Sequence, residues 1–197
     1  MKRVITSILL FCCLPLLAAP KDGHYANLDG KKAQTLFDQL STIANKGYKG
    51  LSYGDLWDAF AVTDVHPGTN QIWDMYSNCN FTYSKNQCGQ AKKECSCYNR
   101  EHSIPKSWFG GSTSGIGADL FHLVPTDGYV NSKRSNHPFG ETNHPDYAYA
   151  GNKLGKSDFP SYSVGTVFEP ADEYKGDFAR GYFGTRVKWN KTNITQS

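Results

Sequence analysis

Four cysteines within nineteen residues, Cys79, Cys88, Cys95 and Cys97, constrain this chain more than any other feature of its sequence. Their chemistry depends on the compartment. The first nineteen residues open on Lys2 and Arg3, continue as an apolar run from Val4 to Leu17 interrupted by Thr6, Ser7 and Pro15, and end on Ala18 and Ala19. That is the layout of a secretory signal peptide, and a secreted chain meets an oxidising environment. Two disulfides are therefore the leading expectation. Cys95 and Cys97, one residue apart, are too close to pair easily with each other, so each is expected to reach back to Cys79 or Cys88. The rival is a tetrahedral zinc site, although C-x8-C-x6-C-x-C lacks the usual C-x2-C knuckles, and free thiols are the remaining reading. Cys12 and Cys13 fall inside the signal, each after a bulky residue (Phe11, Cys12), which disfavours a lipid-anchored reading.

Composition bounds the rest. Residues 20–197 form the expected mature domain, long enough for one core that buries about 70% of its unfolded surface, so no disulfide scaffold is required for stability. With 39% hydrophobic and 14% aromatic residues the chain is not disordered, and no later stretch approaches a bilayer span. The formal charge of +3 loses two bases with the signal, leaving +1, which selects no partner. Locally the balance differs. Residues 79–134 carry seven bases and four acids, a basic stretch suited to tracking phosphates without reading bases.

Periodicity predicts an amphipathic helix over 30–46 (Leu36, Phe37, Leu40, Ile43, Ala44) and a short one over 53–60, with Ser52 as cap and Asp55 three residues on. Residues 72–76 alternate like a strand. Another strand is expected to end at Glu101-His102, and 110–118 reads as a mobile loop. The run 119–124 suits a buried strand ended by Pro125 and Thr126, followed by a helix over 127–136 with Asp127 in its first turn. There Asp127, Asn131 and Arg134 share a face. Residues 141–170 look loop-rich, and a last helix is expected over 172–183. The fold class is α+β, a single domain.

Reactive side chains concentrate between Arg100 and Asn136. Phosphodiester hydrolysis needs a base to deprotonate water, a cation to neutralise the phosphorane, and donors that hold the phosphate. Mg2+ prefers oxygen ligands and keeps several waters, so one carboxylate and one amide carbonyl suffice. Glu101 and Asn131 supply that pair, His102 the base and Arg134 a bidentate phosphate clamp. Arg100-Glu101-His102-Ser103-Ile104-Pro105, the run from Asp119 to Asn131, and Arg134-Ser135-Asn136 together resemble the bacterial endonuclease I family. The match is strong over about residues 100–140 and weaker toward the first and last helices.

The resemblance implies a secreted or periplasmic, nonspecific nuclease with a ββα-metal (His-Me finger) unit among helices and long loops, yielding 5′-phosphorylated fragments. It implies His102 as general base and Glu101 and Asn131 as ligands of Mg2+, with Mn2+ or Ca2+ as substitutes. The expected partner is DNA, with RNA as a second class; the local basic charge makes Arg100, Lys106 and Lys133 the residues expected to track its phosphates, and no membrane contact and a monomer are expected. Asp119, His122 and Asp127 are read as supporting residues. The chain departs from the family twice. It has Asp-Leu-Phe-His-Leu at 119–123 where Asp-x-His-Asn-Leu is common, and residues 103–118 hold no arginine to serve the transition state, leaving Arg134 or Lys106 for that role. His24, His66, His137 and His144 are read as structural or solvated. Two alternatives stand beside this: a zinc hydrolase using His102 and His122, and a catalytically degenerate or glycan-binding module.

Overall fold

In the computed structural model, which describes residues 23, 25–159 and 165–196, the first amphipathic stretch folds as α1 (Ala33–Asn45). The proposed signal and His24 lie outside these residues. Asn45 ends α1 by donating to the carbonyl of Lys188 at 2.9 Å, which joins the helix to the end of the chain. The second helix, α2 (Leu56–Thr63), starts three residues later than its periodicity suggested. The Ser52 amide donates to Asp55 and the Asp55 amide to the Ser52 hydroxyl, so this reciprocal pair fixes a turn over 53–55 before the helix begins. Leu56 and Phe60 then bury against Leu123 and Ala118.

The expected strand at 72–76 does not form; Ile72 makes only an isolated bridge with Val65. Asp74 explains this. Its carboxylate accepts the amides of Tyr76 (2.8 Å) and Asp127 (3.0 Å) and the Ser77 hydroxyl, and such local bonds compete with a ladder. Strand β1 (Tyr98–His102) pairs antiparallel with β2 (Leu123–Asp127), with Glu101 opposite Val124 and His102 opposite Leu123. β2 therefore starts four residues later than expected. Residues 119–122 turn instead, because Asp119 accepts the Phe121 amide on its side chain and the Leu123 amide on its carbonyl. Pro125 lies inside β2, where a two-stranded ribbon tolerates it because both strands are edges.

Asp127 closes β2 and caps α3 (Gly128–Arg134), accepting the amides of Tyr129 at 2.8 Å and Val130 at 3.1 Å. It is thus the cap and not a first-turn acid, and α3 stops at Arg134, two residues short of the expectation. The stretch that looked loop-rich contains a sheet, β3 (Pro145–Tyr149), β4 (Asn152–Lys156) and β5 (Thr166–Glu169), in that order and antiparallel. Ala150 and Gly151 turn the first hairpin with φ of 47° and 85°, the left-handed pair a two-residue hairpin needs. Helix α4 (Asp172–Lys188) continues one turn past Phe183 and packs on α1. Tyr76, Val130, Phe168 and Phe178 form the core that holds α3 between the second sheet and α4. The whole is one α+β domain, and among the described residues no helix is long and apolar enough to cross a membrane.

The cysteines pair Cys79–Cys95 and Cys88–Cys97, so Cys95 and Cys97 each reach back. This removes the zinc reading of the four thiols. Cys79, Cys95 and Asp127 do bring three ligand-type atoms within 4.8 Å, but both sulfurs are spent in a disulfide. Asp127 uses its second oxygen on the Cys95 amide at 2.6 Å, linking the disulfide loop to the start of α3.

Burial pushes the Asp74 carboxyl up to about 7, its hydrogen bonds only partly opposing this, with buried Asp127 adding to the rise. An acid whose folded pKa is raised stabilises fully below its unfolded value, and that contribution is lost as pH rises through about 7. Asp74→Asn keeps the acceptor for both amides. Thermal melts from pH 5 to pH 8 are expected to show a smaller loss of Tm with rising pH in this variant than in the parent; parallel curves would contradict it.

Candidate active site

Glu101, the penultimate residue of β1, is almost sealed from solvent, at 3% exposure. Its Oε1 accepts the Tyr76 hydroxyl and Arg134 Nη1, both at 2.7 Å. Burial raises its pKa, opposed by the Arg134 charge and the Tyr76 hydrogen bond. Oε2 takes no side-chain partner among the described residues.

Arg134 is where the sequence reading needs its main correction. It is fully buried, at 0% exposure, and all three nitrogens are engaged: Nη1 on Glu101 and the His102 carbonyl, Nη2 on the Ser103 carbonyl, and Nε on the His137 carbonyl. Its guanidinium also lies 4.7 Å from the Phe139 ring centre. A side chain so committed inside the fold grips no phosphate. Its work is to pin Glu101 and the backbone of 102–103 to α3.

His102 donates from Nε2 to the Gly117 carbonyl at 3.1 Å, since a carbonyl can only accept. That assigns the proton to Nε2 and leaves the lone pair on Nδ1, which has no partner among the described residues. The ring stacks on Tyr53 at 5.8 Å and 19° and neighbours Phe109 and His122. Burial above all, then the adjacent His122, Lys106 and Arg100, pulls its pKa down to about 3, while the Gly117 bond acts the other way. The imidazole is therefore neutral at physiological pH. The carbonyl that fixes it belongs to a 3-10 turn, Gly115–Ala118, within the segment expected to be a mobile loop. A Cβ on Gly117 would fall 1.9 Å from the Ser112 carbonyl oxygen, so only glycine lets the turn close here.

His122 donates in the same way, from Nε2 to the Ile116 carbonyl at 2.8 Å, and is 1% exposed with its Nδ1 unpartnered. It is a core histidine against the His102 ring. Asp119, read as a supporting residue, caps the Phe121 amide with one oxygen and with the other takes Lys188 Nζ at 2.7 Å and Trp189 Nε1 at 2.6 Å, tying this turn to the end of α4. Among the described residues no group of His, Cys, Asp or Glu at metal-ligand spacing includes His102 or His122, so the pair lacks the further ligands a zinc ion needs. Asn131 sits half-buried on α3, its carboxamide without a hydrogen-bond partner among the described residues. Lys133, also on α3, stands 5.1 and 5.6 Å from the rings of Tyr129 and Tyr147. Arg100 and Lys106 flank His102, and both lie over the Tyr53 ring. Tyr53 escaped the sequence reading, since nothing in its spacing connects it to a histidine far along the chain.

The antiparallel pair, with Glu-His at the end of β1, is followed at once by a helix that presents an uncommitted carboxamide, a β-β-α arrangement. The chain belongs to the endonuclease I family, whose model matches residues 32–197. It is similar to the extracellular ribonuclease of Bacillus subtilis (strain 168), 35% identical over 174 residues, covering 87% of this chain and 55% of that protein. It is also similar to the extracellular ribonuclease of Bacillus amyloliquefaciens, 33% identical over 178 residues with the same coverages. The chain thus spans about half the length of the curated relatives it matches. No solved structure matches it.

Proposed function

We propose that this chain is a secreted, Mg2+-dependent, sequence-nonspecific endonuclease that hydrolyses DNA, with RNA as a further substrate, to 5′-phosphorylated fragments. The observation that carries the reading is His102, held by its Nε2–H bond to the Gly117 carbonyl in the one tautomer that leaves the Nδ1 lone pair able to take a proton. Nδ1 accepts the proton of a water whose oxygen attacks phosphorus in line as the bond to the 3′-oxygen breaks; the imidazolium so formed keeps its Nε2–H on the carbonyl, and the departing 3′-oxygen takes its proton from water. The names of the two Bacillus relatives favour RNA as a substrate, and the two disulfides favour an oxidising compartment.

Glu101 and Asn131 fit a hard divalent cation in donor chemistry, offering a carboxylate oxygen and a carboxamide oxygen that no other side chain claims. When bound there, Mg2+ supplies charge neutralisation at the phosphoryl and leaving oxygens. The residues' own task is to present those oxygens without moving. Arg134 and Tyr76 hold Glu101, and the Asp127 cap holds the start of the helix that carries Asn131. Lys106 and Lys133 contact phosphates as point charges.

Plasmid, single-stranded DNA and RNA are each expected to be degraded with Mg2+ and spared in EDTA, Mn2+ restoring cleavage. Equal cleavage in EDTA would sink the metal requirement. Intact nucleic acid under every condition, together with retention on glycans, would favour the binding module.

A further inference from the structure

Arg100 precedes His102 by two residues on β1, and its guanidinium is clamped. Its central carbon lies 3.8 Å from the Tyr53 ring centre and 4.4 Å from that of Trp57, and Nη1 donates to the Tyr53 carbonyl at 2.6 Å. The plane and one corner of the group are therefore fixed. The other side-on edge is not used. Nε is buried without any hydrogen-bond partner, and none engages Nη2 among the described residues. A buried N–H left without an acceptor is rare in a folded protein and calls for an explanation.

We propose that Arg100 is the phosphate clamp of this site, its Nε–Nη2 edge donating to two non-bridging oxygens of the scissile phosphate, with Tyr53 and Trp57 as positioning residues. The proposal rests on the reading of His102 as the base of a phosphodiester hydrolase. Chemistry favours phosphate as the occupant, because the Nε–Nη2 fork matches two oxygens of a tetrahedral anion bidentately. Position favours it too, since the Tyr53 ring contacts both the guanidinium and the His102 imidazole. Lys106, 5.9 Å from the same ring, adds charge without a fork. Arg100 thus takes the role the sequence had left to Arg134 or Lys106, and the absence of an arginine from 103–118 costs the site nothing.

The test uses the full chain, a fluorescent oligonucleotide, and two readouts: kcat with Mg2+, and binding in EDTA across a salt series. Arg100→Lys keeps the charge and loses the fork, so kcat is expected to fall about a hundredfold, with binding in EDTA nearly unchanged. Arg100→Gln is expected to lose kcat as well and to reduce the slope of log K against log salt by about one. Trp57→Leu removes one face of the sandwich without touching His102 and is expected to lower kcat less, with Trp57→Phe restoring it. Parental kcat in Arg100→Lys while His102→Ala is inactive overturns the clamp and leaves the nuclease reading standing. An active His102→Ala overturns both. A lowered Tm with unchanged kcat per folded molecule assigns Arg100 a structural role only and likewise overturns the clamp.

Discussion

Replacing His102 by alanine is expected to lower kcat by about 10²–10⁴-fold, the usual worth of a positioned general base, with little loss of binding to nucleic acid in EDTA. The split follows from what the side chain does. Its Nε2–H is committed to Gly117, its ring is covered by Tyr53, and only Nδ1 is free to act on a water. None of these contacts grips a phosphate, so the loss falls on turnover. Plasmid nicking under saturating Mg2+ measures it. A variant with parental kcat would falsify the assignment. The lowered pKa also fixes the sign of the acid response. A histidine kept neutral by burial binds protons less readily when folded, so its contribution to stability is present above the unfolded value near 6.5 and is lost as pH falls toward 3.

The second large effect is on stability. Arg134→Ala strips the buried Glu101 carboxylate of its countercharge, removes the Arg134 donor from the carbonyls of His102 and His137, and leaves that of Ser103 with the Tyr182 hydroxyl alone. Breaking a buried pair from one side costs about 3–5 kcal/mol, far more than a surface ion pair is worth. In a domain of this size that corresponds to a fall in Tm on the order of 10 °C. Denaturant titration of the variant provides the measurement. A phosphate-gripping arginine predicts the opposite pattern, an unaltered Tm with a shallower salt dependence of binding, and that result would return Arg134 to the surface role.

These two residues show how far the sequence could be read. The positions of Glu101, His102 and Asn131 were legible, since a strand end and the next helix were read around them, and the strand pair and α3 put them there. Arg134 was visible as a residue but not as a role. Its charge suggested phosphate, whereas burial against Glu101 is set by how α3 lies across the strands, which no local pattern encodes. The second sheet was missed for a related reason. Asp146, Gly151 and Gly155 read as loop, yet β3 to β5 pair through the backbone and are held by Phe168 in the core. The strand predicted at 72–76 failed because its own Asp74 carboxylate claimed the Tyr76 amide that a ladder would have used. Tyr53 and Trp57 meet Arg100 only after α2 and its preceding turn have folded against β1.

The crossing of the 115–118 turn over the Ser112 carbonyl sets a limit for protein engineers. Loop grafting around the proposed active site is the obvious route to altered selectivity, and 110–118 looks expendable because none of its side chains belongs to the proposed machinery. Yet the proton inventory of the base is written in this backbone. A library that randomises the segment and leaves Gly117 free to vary would discard most of its members before selectivity is sampled, whereas one that keeps Gly117 and varies Thr113 and Ser114, both exposed, explores the surface with the imidazole still correctly protonated.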